Sequence, residues 1–430
     1  MPTATTANRT YSLHLLGVAC GLAAGVWLGA AEAPTKLVTT GLSPFAISLC
    51  MVAGVFTARW TFPTLLKGTG YVFTDLAARK HLLVWALLAG CLWAVANTLT
   101  VFAIRDVGLA TAFPLWNTNS LIGLFWGRVL FRELEGAKPQ NIVKVILGAI
   151  LIVAAAIMLG FSTLHGGNVR SPHAARGLIA AIGASFMWGT MYVPYRKAYL
   201  SGMNPLSFVT AFTVGELGMM LALTVTLDHG AHNAAHQIMN SRGLIFWLFL
   251  GGFVWVIGDL FQQFATKYLG IGRGIPLSNT NQLWGLMWGA LVFGELASAT
   301  HTQRLLVVAG SVLMIFGALA ISTAIASPGE HSSTNLALAR ECDRYGLDYN
   351  QTLLSQSGSQ PGDELSGPTR RRWWDYAIAV AATGLFVLLA VHAVVPPLAM
   401  NFAWLAALSL ILLITLVGAG WLLWRSTRFS

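Results

Sequence analysis

The chain has 430 residues, of which 56% are hydrophobic and only 10% are charged. Soluble globular proteins carry about 25% charged residues, so this composition excludes a soluble domain and indicates a protein of the lipid bilayer. The formal net charge of +10 does not indicate a nucleic-acid partner, because the basic residues are spread over short loops between apolar runs.

The apolar runs predict an all-α polytopic membrane protein with twelve helices. A helix that crosses about 30 Å of hydrocarbon needs about 20 residues. Runs of this length occur at approximately 11–32, 42–62, 81–104, 107–131, 141–163, 175–198, 205–227, 243–266, 269–293, 303–325, 375–396 and 399–424. The first run has no convincing small-residue cleavage site, so we interpret it as a membrane helix and not as a signal peptide.

An internal duplication organises the first ten helices. The segment 114–134 (PLWNTNSLIGLFWGRVLFREL) and the segment 276–296 (PLSNTNQLWGLMWGALVFGEL) lie 162 residues apart and share 13 of 21 positions. Each repeat holds five helices, an odd number, so the second repeat enters the membrane from the opposite side. The sequence therefore predicts two inverted five-helix repeats, 1–163 and 164–326, an arrangement typical of secondary transporters. A duplicated scaffold without transport is the alternative.

Two further segments follow the repeats. Residues 327–373 are polar and rich in Ser, Gly and Pro, which predicts a flexible cytoplasmic linker. Residues 374–430 predict a C-terminal transmembrane hairpin with no counterpart in the repeats. We interpret this hairpin as an addition to a ten-helix core.

The distribution of Lys and Arg predicts the orientation of the chain. With the N-terminus inside, 19 basic residues, Arg59 among them, fall in cytoplasmic segments and six fall outside. Only Arg128 falls well inside a predicted helix. The excess predicts an inner-membrane protein with both termini in the cytoplasm.

Amide side chains are concentrated near the middle of helices four and nine. A buried amide without a partner costs several kcal/mol, so these groups must face one another, water or a solute. Amides donate and accept hydrogen bonds, which suits the hydroxyl groups of a sugar, although helix–helix hydrogen bonding is the structural alternative. The candidate substrate-binding amides are Asn117, Asn119, Asn279, Asn281 and Gln282.

Prolines precede both amide clusters. Pro114 and Pro276 each remove one backbone hydrogen bond, which predicts a broken or kinked helix beside the cavity. A simple packing kink is the alternative.

Tryptophans lie one helical turn from polar residues in helices three and eight. Trp93 shares a helix face with Asn97, and the repeat-related Trp255 shares a face with Asp259. A Trp ring beside an amide or carboxylate can stack on a sugar ring whose hydroxyls are hydrogen-bonded. Trp93, Trp255 and Asn97 are therefore candidate substrate-binding residues.

Two acids within the apolar runs are candidates for proton coupling. Glu216 and Asp259 are expensive to bury as anions, which makes them functional candidates by default. Pairing with Lys36, Arg196 or Lys197 would instead give them a structural role.

Two further acids end helices four and nine, in the matching FREL and FGEL sequences. Glu133 and Glu295 are expected to close gates or to cap helices.

Neither a cofactor nor a resident metal ion is expected. His229, His232 and His236 have a spacing that a metal could use, but a solvated loop is the favoured interpretation. The chain has no nucleotide-binding loop and no hydrolase motif, so we expect no enzymatic activity.

The repeated pattern PLxNTNxLxGLxWGxxxFxEL resembles the drug/metabolite transporter superfamily over residues 11–325. Within it, GIGRGIPLSNTNQLWGLMWGALVFGEL and SFMWGTMYVPYRK are similar to the glucose/ribose porter and rhamnose-transporter branches. The resemblance implies a central cavity lined by both repeats and, for the sugar branch, proton-driven uptake.

The predicted function is secondary transport of a monosaccharide by alternating access, with protons as the coupling ion. One alternative is an exporter of amino acids or cationic drugs, and another is a non-transporting membrane receptor or scaffold. The predicted partners are the sugar, protons and the lipid bilayer, with no nucleic acid. A homodimer is left open.

Overall fold

The structure, a computed structural model, describes residues 4–35, 42–107, 112, 115–162, 173–294, 296–297, 299–356, 371–395 and 400–429. These residues form helices and no β-strand, as predicted for an all-α membrane protein. The helices are α1 (Ala4–Thr35), α2 (Pro44–Leu66), α3 (Thr69–Ala78), α4 (Leu83–Val107), α5 (Asn119–Phe131), α6 (Pro139–Ser162), α7 (Ala174–Leu200), α8 (Pro205–Leu227), α9 (Ala231–Asn240), α10 (Arg242–Leu269), α11 (Ile271–Ser278), α12 (Asn281–Met287), α13 (His301–Ser322), α14 (Pro328–Tyr345), α15 (Tyr349–Gln356), α16 (Trp373–Val391) and α17 (Phe402–Thr427).

Ten of the described helices are long and apolar enough to cross a membrane. They are α1, α2, α4, α6, α7, α8, α10, α13, α16 and α17. The two remaining predicted spans, 107–131 and 269–293, are interrupted. The first holds α5, and the second holds α11, α12 and a short π-helix, Trp288–Val292.

In both repeats the described helices are interrupted at the repeated Asn-Thr pair. Pro276 lies inside α11, and the chain leaves α-helical bonding at Thr280, whose amide donates to the Leu277 carbonyl three residues back. In the first repeat, the Thr118 amide likewise donates to the Leu115 carbonyl. Pro114 lies outside the described residues. Both breaks therefore replace an α-helical bond with a turn bond to the residue three positions earlier, within the amide clusters.

Repeat-related helices begin in the same way. Ser43 accepts the Ala46 amide at the start of α2, and Asn204 accepts the Leu206 amide at the start of α8. In each case a proline follows the capping residue, where its missing N–H costs nothing. The two starts lie 161 residues apart.

Glycines set the closest helix contacts, and these contacts also occur in repeat-related pairs. In the contact of α2 with α10, Gly54 lies against the Phe249 carbonyl and Gly252 against the Met51 carbonyl. In the contact of α4 with α8, Gly215 lies against the Leu87 carbonyl and Gly90 against the Phe212 carbonyl. A Cβ at any of these positions would collide with backbone. Each contact joins a helix of one repeat to a helix of the other.

The expectation of a flexible linker is wrong for residues 328–356, which form α14 and α15. Ser327 and Glu330 form a capping box at the start of α14, in which each side chain binds the other residue's backbone amide. This local stabilisation explains why a polar segment is helical here.

The C-terminal hairpin packs mainly against the first repeat and also contacts α10 and the π-helix of the second. Helix α16 packs beside α2, and α17 packs beside α1. The Asp375 carboxylate fixes the start of α16 by accepting the Thr69 amide at 3.0 Å and the Thr69 hydroxyl at 2.6 Å. Most of the apolar surface of both helices is exposed in the protein, as expected for faces that meet lipid.

Candidate functional site

The predicted amide clusters of the two repeats are in direct contact. The side-chain amide of Asn279 donates to the Asn119 side-chain oxygen at 2.9 Å and to the Asn117 carbonyl at 3.2 Å. All three residues are buried. The two interrupted segments thus meet at their breaks through hydrogen bonds between repeats.

Two other predicted amides have unsatisfied polar atoms. The side-chain oxygen of Asn281 and the side-chain nitrogen of Gln282 are buried without a hydrogen-bond partner among the described residues. Both lie in the first turn of α12, directly after the break. Buried polar atoms of this kind are costly unless a ligand or water satisfies them.

The two predicted tryptophans contact each other. The Trp93 and Trp255 ring centroids are 5.0 Å apart, with an edge-to-face angle of 62°. Trp93 is buried, and its indole nitrogen has no hydrogen-bond partner among the described residues. One turn along α4, the side-chain nitrogen of Asn97 is also unpartnered within that part of the chain. The pair joins α4 of one repeat to α10 of the other.

A buried arginine is the residue that sequence analysis missed. Arg59 lies inside α2 with no exposed surface, so its assignment to a cytoplasmic segment is wrong. Its guanidinium lies 2.7 Å from an Asp259 oxygen and 3.7 Å from a Glu216 oxygen, and both acids are fully buried. The signal was present, because Arg59 falls within the predicted span 42–62 and two intramembrane acids require a cation.

The two acids of this charge cluster have different surroundings. Asp259 accepts hydrogen bonds from Arg59 and from the Gln263 amide, the latter at 3.1 Å. Neither carboxylate oxygen of Glu216 has a hydrogen-bond partner among the described residues. The cluster therefore contains one well-bonded acid and one that is held only at ion-pair distance.

Aromatic rings enclose the arginine. The guanidinium carbon lies 4.0 Å from the ring centroid of Phe212 and 5.3 Å from that of Trp255. Trp255 also contacts Trp93, so the charge cluster adjoins the tryptophan pair. The predicted binding and coupling residues Trp93, Trp255, Glu216 and Asp259 thus form one continuous group.

Glu133 lies at one end of the bundle, where it caps α11. Its carboxylate accepts the backbone amides of Ile271 at 2.9 Å and Gly272 at 2.8 Å, and Arg196 forms an ion pair with it at 3.1 Å. Gly270, at φ +85°, allows this approach, since a Cβ there would lie 2.6 Å from a Glu133 oxygen. Glu133 therefore joins the first repeat to two helices of the second.

The other cations proposed as partners for the buried acids are occupied elsewhere or not described. Arg196 pairs with Glu133, and Lys197 pairs with Glu341 at 2.9 Å. Lys36 and the second gate candidate, Glu295, lie outside the described residues. The histidine loop contains the short helix α9, where His236 contacts Asn240. No cluster of metal-ligating side chains occurs in the described part of the chain.

Comparison with known proteins assigns both repeats to transporters. Residues 38–162 match the sugar transport protein family, and residues 175–323 match the EamA-like transporter family. A Listeria innocua protein named for sugar uptake is 24% identical over 259 residues, which are 59% of this chain and 83% of the relative. A Bacillus cereus protein, also named for sugar uptake, is 26% identical over 58% of this chain and 82% of its own length. The glucose uptake protein of Staphylococcus xylosus is 22% identical over 60% of this chain and 85% of its own length.

Proposed function

We propose that the chain carries a monosaccharide across the inner membrane by alternating access, because residues 38–162 match the sugar transport protein family and residues 175–323 match the EamA-like transporter family. The observation that supports this most directly is the contact between Asn279 and Asn119 at the two helix breaks. A solute between the repeats would meet amide groups from both, and each repeat could move away in turn.

In this proposal, the amides bind the sugar hydroxyls. Asn281 and Gln282 supply one unsatisfied acceptor and one unsatisfied donor, a pair that a hydroxyl group can satisfy at once. Asn117, Asn119 and Asn279 would exchange their mutual contacts for contacts with the sugar. Asn97 supplies a further donor from α4.

Trp93 and Trp255 would provide the apolar surface for the sugar ring. Their edge-to-face contact places the two rings on opposite repeats beside the charge cluster. Separation of the repeats would free the ring faces for stacking against C–H groups.

Proton coupling is assigned to Glu216, with Asp259 and Arg59 as its partners. One arginine neutralises one carboxylate, so the buried cluster is neutral when it holds a single proton. Glu216 is the better proton carrier, because Asp259 already has two hydrogen-bonding partners. Water that reaches Glu216 when one end opens would allow the proton to leave.

The proposal assigns the movement to the two helix breaks and the closure to the acids at the helix ends. Pro114 and Pro276 would serve as hinges beside the breaks, and Glu133 and Glu295 would close the two ends. The excess of Lys and Arg supports cytoplasmic termini in this proposal, also when Arg59 is left out of the count. A homodimer is not required by this mechanism.

A binding and uptake experiment tests the proposal. Purified protein is screened by thermal stabilisation against monosaccharides, amino acids and cationic drugs, because a ligand of the folded state raises the melting temperature. The best sugar is then used, radiolabelled, for uptake into proteoliposomes. We expect a sugar to bind and to be taken up, whereas binding by amines or amino acids alone would contradict the proposal.

Asn281→Ala tests the binding site within that assay. We expect at least about a tenfold loss of uptake, since a buried hydrogen bond to a hydroxyl is removed in a site built for it. Asn240→Ala in the exposed helix α9 is the matched control and should transport normally. Uptake by Asn281→Ala at the wild-type rate, with a normal melting temperature in both variants, would refute the assignment.

A further inference from the structure

The segment 327–356, which holds α14 and α15 and is called the cap segment below, contacts the bundle at the end closed by Glu133. Its first link is the Glu330 carboxylate. One oxygen accepts the Ser327 amide within the capping box, and the other accepts the Arg273 guanidinium of α11 at 2.7 Å. Both charged side chains are buried. Glu330 thus joins the start of α14 directly to α11.

The second link is Glu341, on the same helix. Both of its carboxylate oxygens accept the Lys197 ammonium of α7, at 3.1 and 2.9 Å. Lys197 also lies 5.1 Å from the ring of Tyr345. In the described part of the chain, Glu330 and Glu341 are the carboxylates within 4 Å of Arg273 and Lys197.

Other contacts join the cap segment to the first repeat. The Ser327 hydroxyl donates to the Gly136 carbonyl at 2.9 Å, and the backbones of Gly136 and Gly329 are in close contact. The ring of Tyr345 stacks on His81 with 4.0 Å between the centroids. The ion pairs hold the second repeat, whereas these contacts hold the first, so the cap segment bridges the two.

The cap segment contacts the same two helices as Glu133, namely α7 and α11. Arg196, which pairs with Glu133, is the neighbour of Lys197, and Ile271, whose amide Glu133 accepts, lies two residues from Arg273. Opening this end requires the first repeat to move away from α7 and α11. That movement must break either the contacts of the cap segment with the first repeat or its ion pairs with the second.

We propose that the cap segment is a working part of this gate, with Glu330 and Glu341 as positioning residues that hold Arg273 and Lys197 in the closed arrangement. The inference rests on the proposed transport function. The residues that match the two families end at 323, so the cap segment lies outside the part of the chain that these families describe. It stabilises the closed form of one end and must release in each transport cycle.

Native Cys342 provides a reporter for release. It lies on α14, is buried, and burial raises the pKa of its thiol, so the docked segment should react slowly with N-ethylmaleimide. Labelling at Cys342 is measured by peptide mass spectrometry on the full-length protein in proteoliposomes, with and without transported sugar. We expect sugar to accelerate labelling several-fold in the wild type and not in the Asn281→Ala variant.

The double variant Glu330→Gln/Glu341→Gln weakens both links. We expect labelling without sugar to rise at least about tenfold, because both buried cations lose their carboxylate partners. Glu330→Gln alone should also raise it, and this variant keeps the Glu341 charge that itself raises the pKa of the neighbouring thiol. Glu135→Gln removes an exposed carboxylate at the same end, beside Arg132, and should label like the wild type.

The outcomes separate the two proposals. Wild-type protein that takes up no sugar contradicts the proposed function. Wild-type protein that takes up sugar, but labels at Cys342 at one rate with and without sugar and in the double variant, overturns the role of the cap segment alone.

Discussion

Two helix contacts related by the duplication have the same packing and different chemistry. In both the α2–α10 contact and the α4–α8 contact, two glycines let the backbones meet. The first contact contains Arg59 bonded to Asp259. At the repeat-related positions, the second contact has Met220 in place of Arg59 and Asn97 in place of Asp259, and the Met220 sulfur accepts the Thr98 hydroxyl at 3.6 Å.

The two contacts have their close packing in common and differ in charge. Close packing is common to both contacts, because in each of them a glycine of either helix lies against a backbone carbonyl of the other. A buried arginine is present in only one contact, and Glu216, an acid on α8 of the other contact, pairs with it. A duplicated framework can thus carry a single, asymmetric charge cluster.

Arg59→Met should have the largest effect. It gives the α2–α10 contact the residue that the α4–α8 contact has at the repeat-related position, Met220. It leaves Glu216 and Asp259 buried without their cation, and we expect a loss of about 3–5 kcal/mol in the free energy of unfolding and no transport. Thermal unfolding of the purified protein measures the first effect.

Met220→Leu is the matched change in the neutral contact and should cost less than about 1.5 kcal/mol. The triple variant Arg59→Met/Asp259→Asn/Glu216→Gln should recover most of the stability, because no charge remains. A stable single Arg59→Met variant would show that the charge cluster is not essential to the fold.

Glu216→Gln removes the proposed proton site and keeps the packing around it, so it tests the coupling role separately from stability. The amide copies the protonated carboxyl group, so we expect exchange of labelled sugar to persist and accumulation driven by a pH gradient to disappear. Both are measured in proteoliposomes with an imposed pH gradient.

Asn97→Asp provides the control, since it places an acid at the repeat-related position without an arginine opposite. It should not restore accumulation when combined with Glu216→Gln. Accumulation of sugar by Glu216→Gln alone at the wild-type level would assign coupling to another group.

Gly90→Ala and Gly252→Ala test the close packing that the two helix contacts share. We expect a smaller loss of stability than for Arg59→Met. Each new methyl group meets a backbone carbonyl on the partner helix, and we expect both variants to lose about 1–3 kcal/mol of stability, to a similar extent. Gly384→Ala on α16, where nothing lies within 4 Å, is the control and should not lower the melting temperature. A large loss at only one of the two glycines would show that the contacts are not equivalent.

The fold was predictable because its signals are long or repeated. Apolar runs of about 20 residues define helices without tertiary information, and the 162-residue offset related the amide clusters before any contact was known. The same offset related Gly90 to Gly252. It could not show that Asn279 would bond to Asn119, because that contact depends on the packing of the repeats.

Arg59 and the cap segment show where prediction failed. Counting basic residues by loop treats every arginine near a helix end as exposed, and Arg59 lies four residues before Pro63. Its burial follows from two acids on other helices, which no local pattern reveals. Ser327 and Glu330 have the spacing of a capping box, which indicates the start of a helix. The Ser- and Gly-rich stretch further along instead favours a flexible linker for the whole segment.

A carrier that accumulates sugar must also return unloaded to collect the next molecule. In the unloaded protein, the Asn279 amide and the Asn119 oxygen can bond to each other across the repeats. Neither buried group is then left without a hydrogen-bond partner during the return. Under the proposed function, a bond of this kind that is kept throughout the unloaded return would favour net uptake over one-for-one exchange. A chain that lacked this pair would tend to work as an antiporter of sugar against sugar.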